Sequence, residues 1–117
     1  MSSSIIKDKS FNFALEIIDI YKYLTITKKE FILSKQLLRS GTSIGANIKE
    51  ALKGQCRKDF LSKMSIALKE AEETEYWIQL LIQSNYLDVK MGQSILEKSI
   101  ELCKILISIV QTTKANK

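Results

Sequence analysis

The chain contains no histidine and no proline, and only four of its 117 residues are glycine. Without histidine, the commonest general base and the Ser–His and Cys–His pairs of nucleophilic enzymes are unavailable. The same absence excludes a di-iron helical bundle, which needs a Glu-x-x-His pair on each of two helices. With no proline and little glycine, few residues interrupt helices, and Leu, Ile, Lys, Glu, Ser and Ala make up the bulk of the chain. That composition favours helices joined by short connections. No window approaches the ~20 uncharged residues of a membrane-spanning helix. The closest, "ILISIV" at 105–110, is short and follows Glu101 and Lys104. The start, "MSSSIIKDKS", has neither the basic nor the apolar region of a secretory leader. A soluble, cytoplasmic protein with no membrane contact is expected. Cys56 and Cys103 lie far apart with no C-x-x-C pattern, so reduced thiols are expected rather than a disulfide.

What the chain does contain is apolar residues at helical spacing. The length is that of one domain, taken as residues 1–117. Counting matches to the i, i+3, i+4, i+7 template predicts four helices, at about 10–24, 29–53, 57–83 and 88–113. In the first, Phe11, Ala14, Ile18 and Tyr21 form the predicted inner face, widened by Leu15 and Ile17. The second turns Leu37, Gly41, Ile44, Ile48 and Leu52 inward. The third carries a heptad-like seam of Phe60, Met64, Ala67, Ala71, Thr74, Ile78 and Leu81. Ile95, Leu102, Leu106 and Ile109 line the fourth. Short connections make consecutive helices antiparallel neighbours. The predicted fold is therefore all-α, an antiparallel up-down-up-down four-helix bundle, with the first seven and last five or so residues frayed. Ile105, Leu106, Ile107, Ile109 and Val110 spread around most of a turn of the fourth helix. This breadth suggests a second burial surface there, which self-association would supply.

Several groups invite a chemical reading and have a plainer one. Glu70, Glu72, Glu73 and Glu75 are dense enough for a metal site but lack ligands of a second type, and read better as a solvated acidic face. Cys56 starts the third helix beside Arg57 and Lys58, an environment that activates thiols, yet no catalytic partner accompanies it. "SGTSIGANIK" has glycines like a phosphate loop but fails the G-x-x-x-x-G-K-[ST] spacing, and no strand precedes it. No catalytic residue, metal or cofactor is expected. The net charge is +5, and residues 28–63 hold nine of the cations against Glu30, Glu50 and Asp59. Lys49, Lys53 and Arg57 are spaced by four and converge with Lys58 on one tip. Such a tip can track a phosphate backbone, although cations near a helix C-terminus also simply suit its dipole. Tyr76 and Trp77 could stack on bases, but beside the third helix's seam they read better as packing or subunit contacts.

The run "QLLRSGTSIGANIKEAL", followed by "KDFLSKMSIALKEAEETEYWIQLLIQSNYL", closely resembles the ribosomal RNA intervening-sequence proteins, a bacterial four-helix bundle family of largely unassigned function. The resemblance covers nearly the whole chain. It rests on Arg39, Ser40, Ser43, Ile44, Asn47, Ile48, Glu50 and Ala51, on Asp59 and Phe60, and on Glu70 through Glu75. The family is also similar to the accessory variability determinant of diversity-generating retroelements, a ring that binds nucleic acid and a reverse transcriptase. The resemblance implies a homo-oligomer, a pentamer in known relatives, with a basic surface and no established enzymatic activity. Cys56 stands where relatives usually place the serine of a Ser-x-x-Asp cap, leaving Asp59 or Gln55 to cap the helix.

The resulting expectation is a non-enzymatic homo-oligomer binding RNA or DNA through Lys35, Arg39, Lys49, Lys53, Arg57 and Lys58. The alternative is an interaction scaffold docking a partner protein such as a nucleic-acid-handling enzyme. Gly41, Ser43, Gly45, Asn47, Glu50, Tyr76 and Trp77 are the candidate packing or oligomer contacts. Gly41 and Gly45 lie on or beside the second helix's inner stripe, where small residues let another helix approach closely. Asn47 and Glu50 read as an inter-helix or inter-subunit polar contact. Gly41→Leu should therefore abolish folding or assembly, seen as lost cooperative unfolding by circular dichroism or reduced mass by light scattering; an unaffected variant would refute the close-packing account.

Overall fold

The computed structural model describes residues 2–116, which form four α-helices: α1 (Ser2–Ile26), α2 (Leu33–Leu52), α3 (Arg57–Gln83) and α4 (Val89–Ala115). They pack as an up-down-up-down bundle measuring 48 × 21 × 20 Å. Sequential neighbours share extensive contacts, and α1 with α4 the least. Two exposed ion pairs cross that weak seam, Lys9–Glu101 at 3.1 Å and Lys98–Glu16 at 2.7 Å.

The inner faces of α2 and α3 follow their sequence periodicity. Leu37, Gly41, Ile44 and Ile48 are buried on α2, and Met64, Ala67, Ala71, Thr74, Ile78 and Leu81 on α3. Phe60 is only half-buried at the start of its seam, and Leu52 is exposed where α2 ends, with Ala51 buried instead. On α4, Leu106 and Val110 are buried and Ile105 and Ile109 pack against the core. Ile105 and Ile109 are only half-buried and Ile107 is 38% exposed, so part of that helix's apolar breadth stays at the surface.

On α1 only Ile17 of the predicted inner face is fully buried, and Ala14, Ile18 and Tyr21 are half-buried. Ile6, Phe13, Ile17, Ile20 and Leu24 point inward, whereas Phe11 is 64% and Leu15 49% exposed. Two apolar stripes run along this helix, both at helical spacing, so periodicity alone cannot choose between them. The relief of α2 chooses. A Cβ on Gly41 would lie 2.9 Å from both Cγ atoms of Ile17, closer than packed atoms tolerate. The missing side chain is what admits Ile17. Burial of Ile6 also anchors the first turns, which is why α1 starts at Ser2 instead of near residue 10.

The start of α2 is also displaced, from the predicted residue 29 to Leu33. Lys29 has φ 55°, a left-handed turn that breaks the helical path. Glu30 then folds back as a cap. Its carboxylate accepts the backbone N–H groups of Ile32, Leu33 and Ser34 at 3.1, 2.9 and 2.7 Å. The Ser34 hydroxyl returns a bond of 2.7 Å to the Glu30 carbonyl. These donors are the otherwise unpaired N–H groups of a helix start. Burial raises the Glu30 carboxyl pKa, but bonds from Leu33, Ser34 and Ile32 outweigh it and hold the group below the usual carboxylate value.

A depressed folded-state pKa stabilises the fold above the unfolded value and stops doing so as pH falls through the folded one. Glu30→Gln should cost about 1–2 kcal/mol at neutral pH in urea unfolding. The gap between variant and parent should close as acid protonates Glu30; a gap that persists in acid would remove the charged cap from the account.

Candidate nucleic-acid interface

The up-down path carries the α2–α3 connection, the start of α1 and the end of α4 to one end of the bundle. Lys49 and Lys53 lie one turn apart at the close of α2, and Arg57 and Lys58 open α3. All four are exposed, and among the described residues none makes an ion pair. Glu50 and Asp59 are the nearest acids in sequence. The connection is tight, with the N–H groups of Lys53 and Gly54 donating to the carbonyls of Glu50 and Ala51 at 3.1 and 3.0 Å.

Cys56 takes the cap position of α3 in extended conformation but makes no side-chain capping bond. Neither Asp59 nor Gln55 replaces it among the described hydrogen bonds, contrary to the sequence expectation. The first N–H groups of α3 therefore point, uncapped, into the same region as four cations, and both features favour an anion. Cys56 is exposed and free. Sequence reasoning overlooked two further cations at this end. Lys7 of α1 lines a groove together with Lys49, and Lys114 occupies the last turn of α4. The predicted topology contained the signal, since an even number of antiparallel helices returns both chain ends to the α2–α3 turn.

Lys35 and Arg39 stand apart from this cluster. Lys35 lies near the opposite end of α2, about 27 Å along the helix from Lys53 at 1.5 Å per residue. Arg39 is engaged within the fold, pairing with Glu70 at 3.2 Å and with Glu73. Glu73 also accepts the indole N–H of Trp77 at 2.9 Å. The Trp77 bond first, and then Arg39, hold the Glu73 carboxyl below the usual range. Beneath this pairing the Thr74 hydroxyl sits 2.9 Å from that of Ser40 in the buried α2–α3 seam. Part of the acidic stretch is thus tied to α2 instead of solvated. Farther along α3, Glu75 lies 3.7 Å from buried Cys103, whose thiol is pushed up to about 12 by burial and by that carboxylate. Cys103 is inert as a nucleophile at neutral pH.

The remaining candidates are packing residues or surface. Gly41 and Gly45 face α1, Gly45 opposite Ser10. The Asn47 amide donates to the Ser43 carbonyl of its own helix at 2.9 Å, and Glu50 is exposed, so no inter-helix bond links them within the chain among the described residues. Tyr76 is 55% exposed and meets Trp77 edge-on, with centroids 5.2 Å apart. Among the described residues no group of three metal-ligating side chains converges, and no helix is long and apolar enough to cross a membrane.

These features define a class, an all-α four-helix bundle. The profile of the 23S rRNA-intervening sequence protein family matches residues 2–108, and the chain belongs to that family. It is similar to a solved structure from Bacteroides thetaiotaomicron, described as a protein of unknown function from the S23 ribosomal protein family. Identity is 53%, the match covers 95% of this chain and 99% of that one, and the TM-score is 0.93. Among curated proteins none matches.

Trp77 is the one tryptophan in the chain and reports directly on Glu73. Its emission should titrate with an apparent pKa below the ordinary carboxylate value as protonation breaks the indole bond. Glu73→Gln should flatten that titration, and an unchanged curve would show that Trp77 senses something else.

Proposed function

We propose that this protein is a non-enzymatic, cytoplasmic homo-oligomer, a pentamer by its resemblance to known relatives, that binds RNA through the basic end of each bundle. The observation carrying this reading is the group of exposed cations Lys49, Lys53, Arg57 and Lys58 around the uncapped start of α3. Lys7 and Lys114 extend it. Phosphates are the natural ligand of such a surface, which positions a backbone and reads little sequence. Repetition around a symmetry axis would strengthen its field. The family's name refers to 23S rRNA, which makes RNA the first ligand to test. Arg39, already paired, and Lys35, remote, fall outside the proposed surface.

A second reading, a scaffold docking a protein partner, is favoured by a different observation. At the opposite end Ile26, Phe31, Ile32 and Val89 are 67%, 59%, 76% and 75% exposed. Exposed large apolar side chains at one end of a bundle mark protein contacts more often than phosphate sites.

Titration against structured RNA and duplex DNA at two salt concentrations separates the readings. RNA affinity should fall steeply with salt, and changing Lys53, Arg57 and Lys58 together to glutamine should reduce the log–log slope by about 2–3, at ~0.7–0.9 per lost contact. Arg39→Gln should leave the slope unchanged. Flat titrations at low salt would reject nucleic-acid binding and leave the scaffold.

A further inference from the structure

The three most exposed large apolar side chains among the described residues, Ile32, Val89 and Ile26, all lie at the end of the bundle opposite the basic tip, and Phe31 joins them. They come from the last residue of α1, the α1–α2 connection and the first residue of α4. Their exposure is not that of slack chain. Glu30 turns inward and accepts the N–H groups of Ile32, Leu33 and Ser34, which pins the connection with Phe31 and Ile32 held outward. The α3–α4 turn is tied down in the same way, with the N–H groups of Tyr86 and Leu87 donating to the Leu81 carbonyl at 2.9 and 3.1 Å.

The charges around this apolar end narrow what it can meet. Each of the four has a lysine within three residues: Lys28 after Ile26, Lys29 before Phe31, Lys35 after Ile32 and Lys90 after Val89. All four lysines are exposed, and among the described residues none makes an ion pair. Lys29 carries its charge in a left-handed conformation, φ 55°, that glycine or asparagine adopts at less cost. The two acids of these connections are committed to helix starts. Glu30 caps α2, and the Asp88 carboxylate accepts the Met91 N–H at 2.8 Å to cap α4. What remains is apolar side chains interleaved with cations. A second copy would bring lysine against lysine, and a phosphate backbone would leave the apolar side chains without a partner. An anionic lipid surface meets both needs. It takes apolar side chains into the acyl boundary while lysine stems reach back to place their ammonium groups among the headgroups.

We infer that this end of the bundle is a peripheral docking site for an anionic lipid surface, entered by Ile26, Phe31, Ile32 and Val89 and steered by the lysines beside them. Such a contact needs no membrane-spanning helix. The inference goes beyond the proposed nucleic-acid role and does not depend on it, and it claims the end that the scaffold reading gives to a protein. The bundle is 48 Å long. With this end on lipid, Lys53, Arg57 and Lys58 stand well outside the ~8 Å over which charge acts at physiological salt, and stay free for RNA.

Sedimentation of the whole protein with vesicles tests it. At physiological salt the protein should pellet with vesicles of equal parts phosphatidylglycerol and phosphatidylcholine, and stay in the supernatant with phosphatidylcholine alone. Phe31→Ser with Ile32→Ser, at exposed positions outside the core, should weaken binding about tenfold, and Lys28→Gln with Lys29→Gln about as much. Changing Lys53, Arg57 and Lys58 together to glutamine should alter it less than about twofold. A polarity-sensitive thiol dye locates the contact. Attached through Ile32→Cys in a Cys56→Ser background, its emission should move to the blue on the mixed vesicles. Attached to Cys56 of the parent, which is exposed at the other end while Cys103 is buried, it should not move. No pelleting with the mixed vesicles overturns the inference and returns this end to a protein contact, leaving the RNA titrations untouched. Binding lost in the Lys53, Arg57 and Lys58 variant but kept without Phe31 and Ile32 overturns it in favour of charge attraction at the basic tip.

Discussion

Ile17 reaches the α2 backbone at Gly41, and the orientation of α1 follows from that contact. A rotation that buried Phe11 and Leu15 instead would withdraw Ile17, Phe13 and Ile20 from the core and set different side chains against the glycine. Because only a residue without a Cβ leaves room there, the cost of placing glycine in a helix, roughly 1 kcal/mol against alanine, is offset by close packing. The exposure of Phe11 and Leu15 on the outside of α1 is a consequence.

A second division of labour runs through the polar residues. Along α2 and α3, Arg39, Glu70, Glu73 and Trp77 form a cross-helix network above the buried Ser40–Thr74 contact. Exposed pairs of this sort contribute little energy individually, and their geometric effect is to hold the register of the two helices. Beyond the network, at the α2–α3 turn, the cations have no such partners among the described residues. The same positive charge that is structural in mid-helix is available at the tip. Glu30 makes the complementary point, an acid lying in a run of cations that is buried as a cap and takes no part in the surface field.

Much of this was legible from residue order. The inner stripes of α2 and α3 were read correctly because each has one apolar face, so period and burial coincide. The α2–α3 tip was also legible, since Lys49, Lys53, Arg57 and Lys58 flank a short turn. Lys7 and Lys114 could have been added from topology alone. The start of α2 was misread because Glu30 and Phe31 continue an apparently helical composition, and only Lys29 in a left-handed conformation and the capping carboxylate mark the break. Arg39 was assigned to ligand binding because its partners lie 31 and 34 residues away, on another helix.

Four helices, their antiparallel order and membership of the intervening-sequence family were determined by the sequence alone, because hydrophobic period and loop length are local quantities. Tertiary structure decided which of two apolar stripes on α1 would be core and which cations would be free. Both choices depend on the shape and charge of a neighbouring helix, and neither leaves a trace in the spacing of the residues that make them.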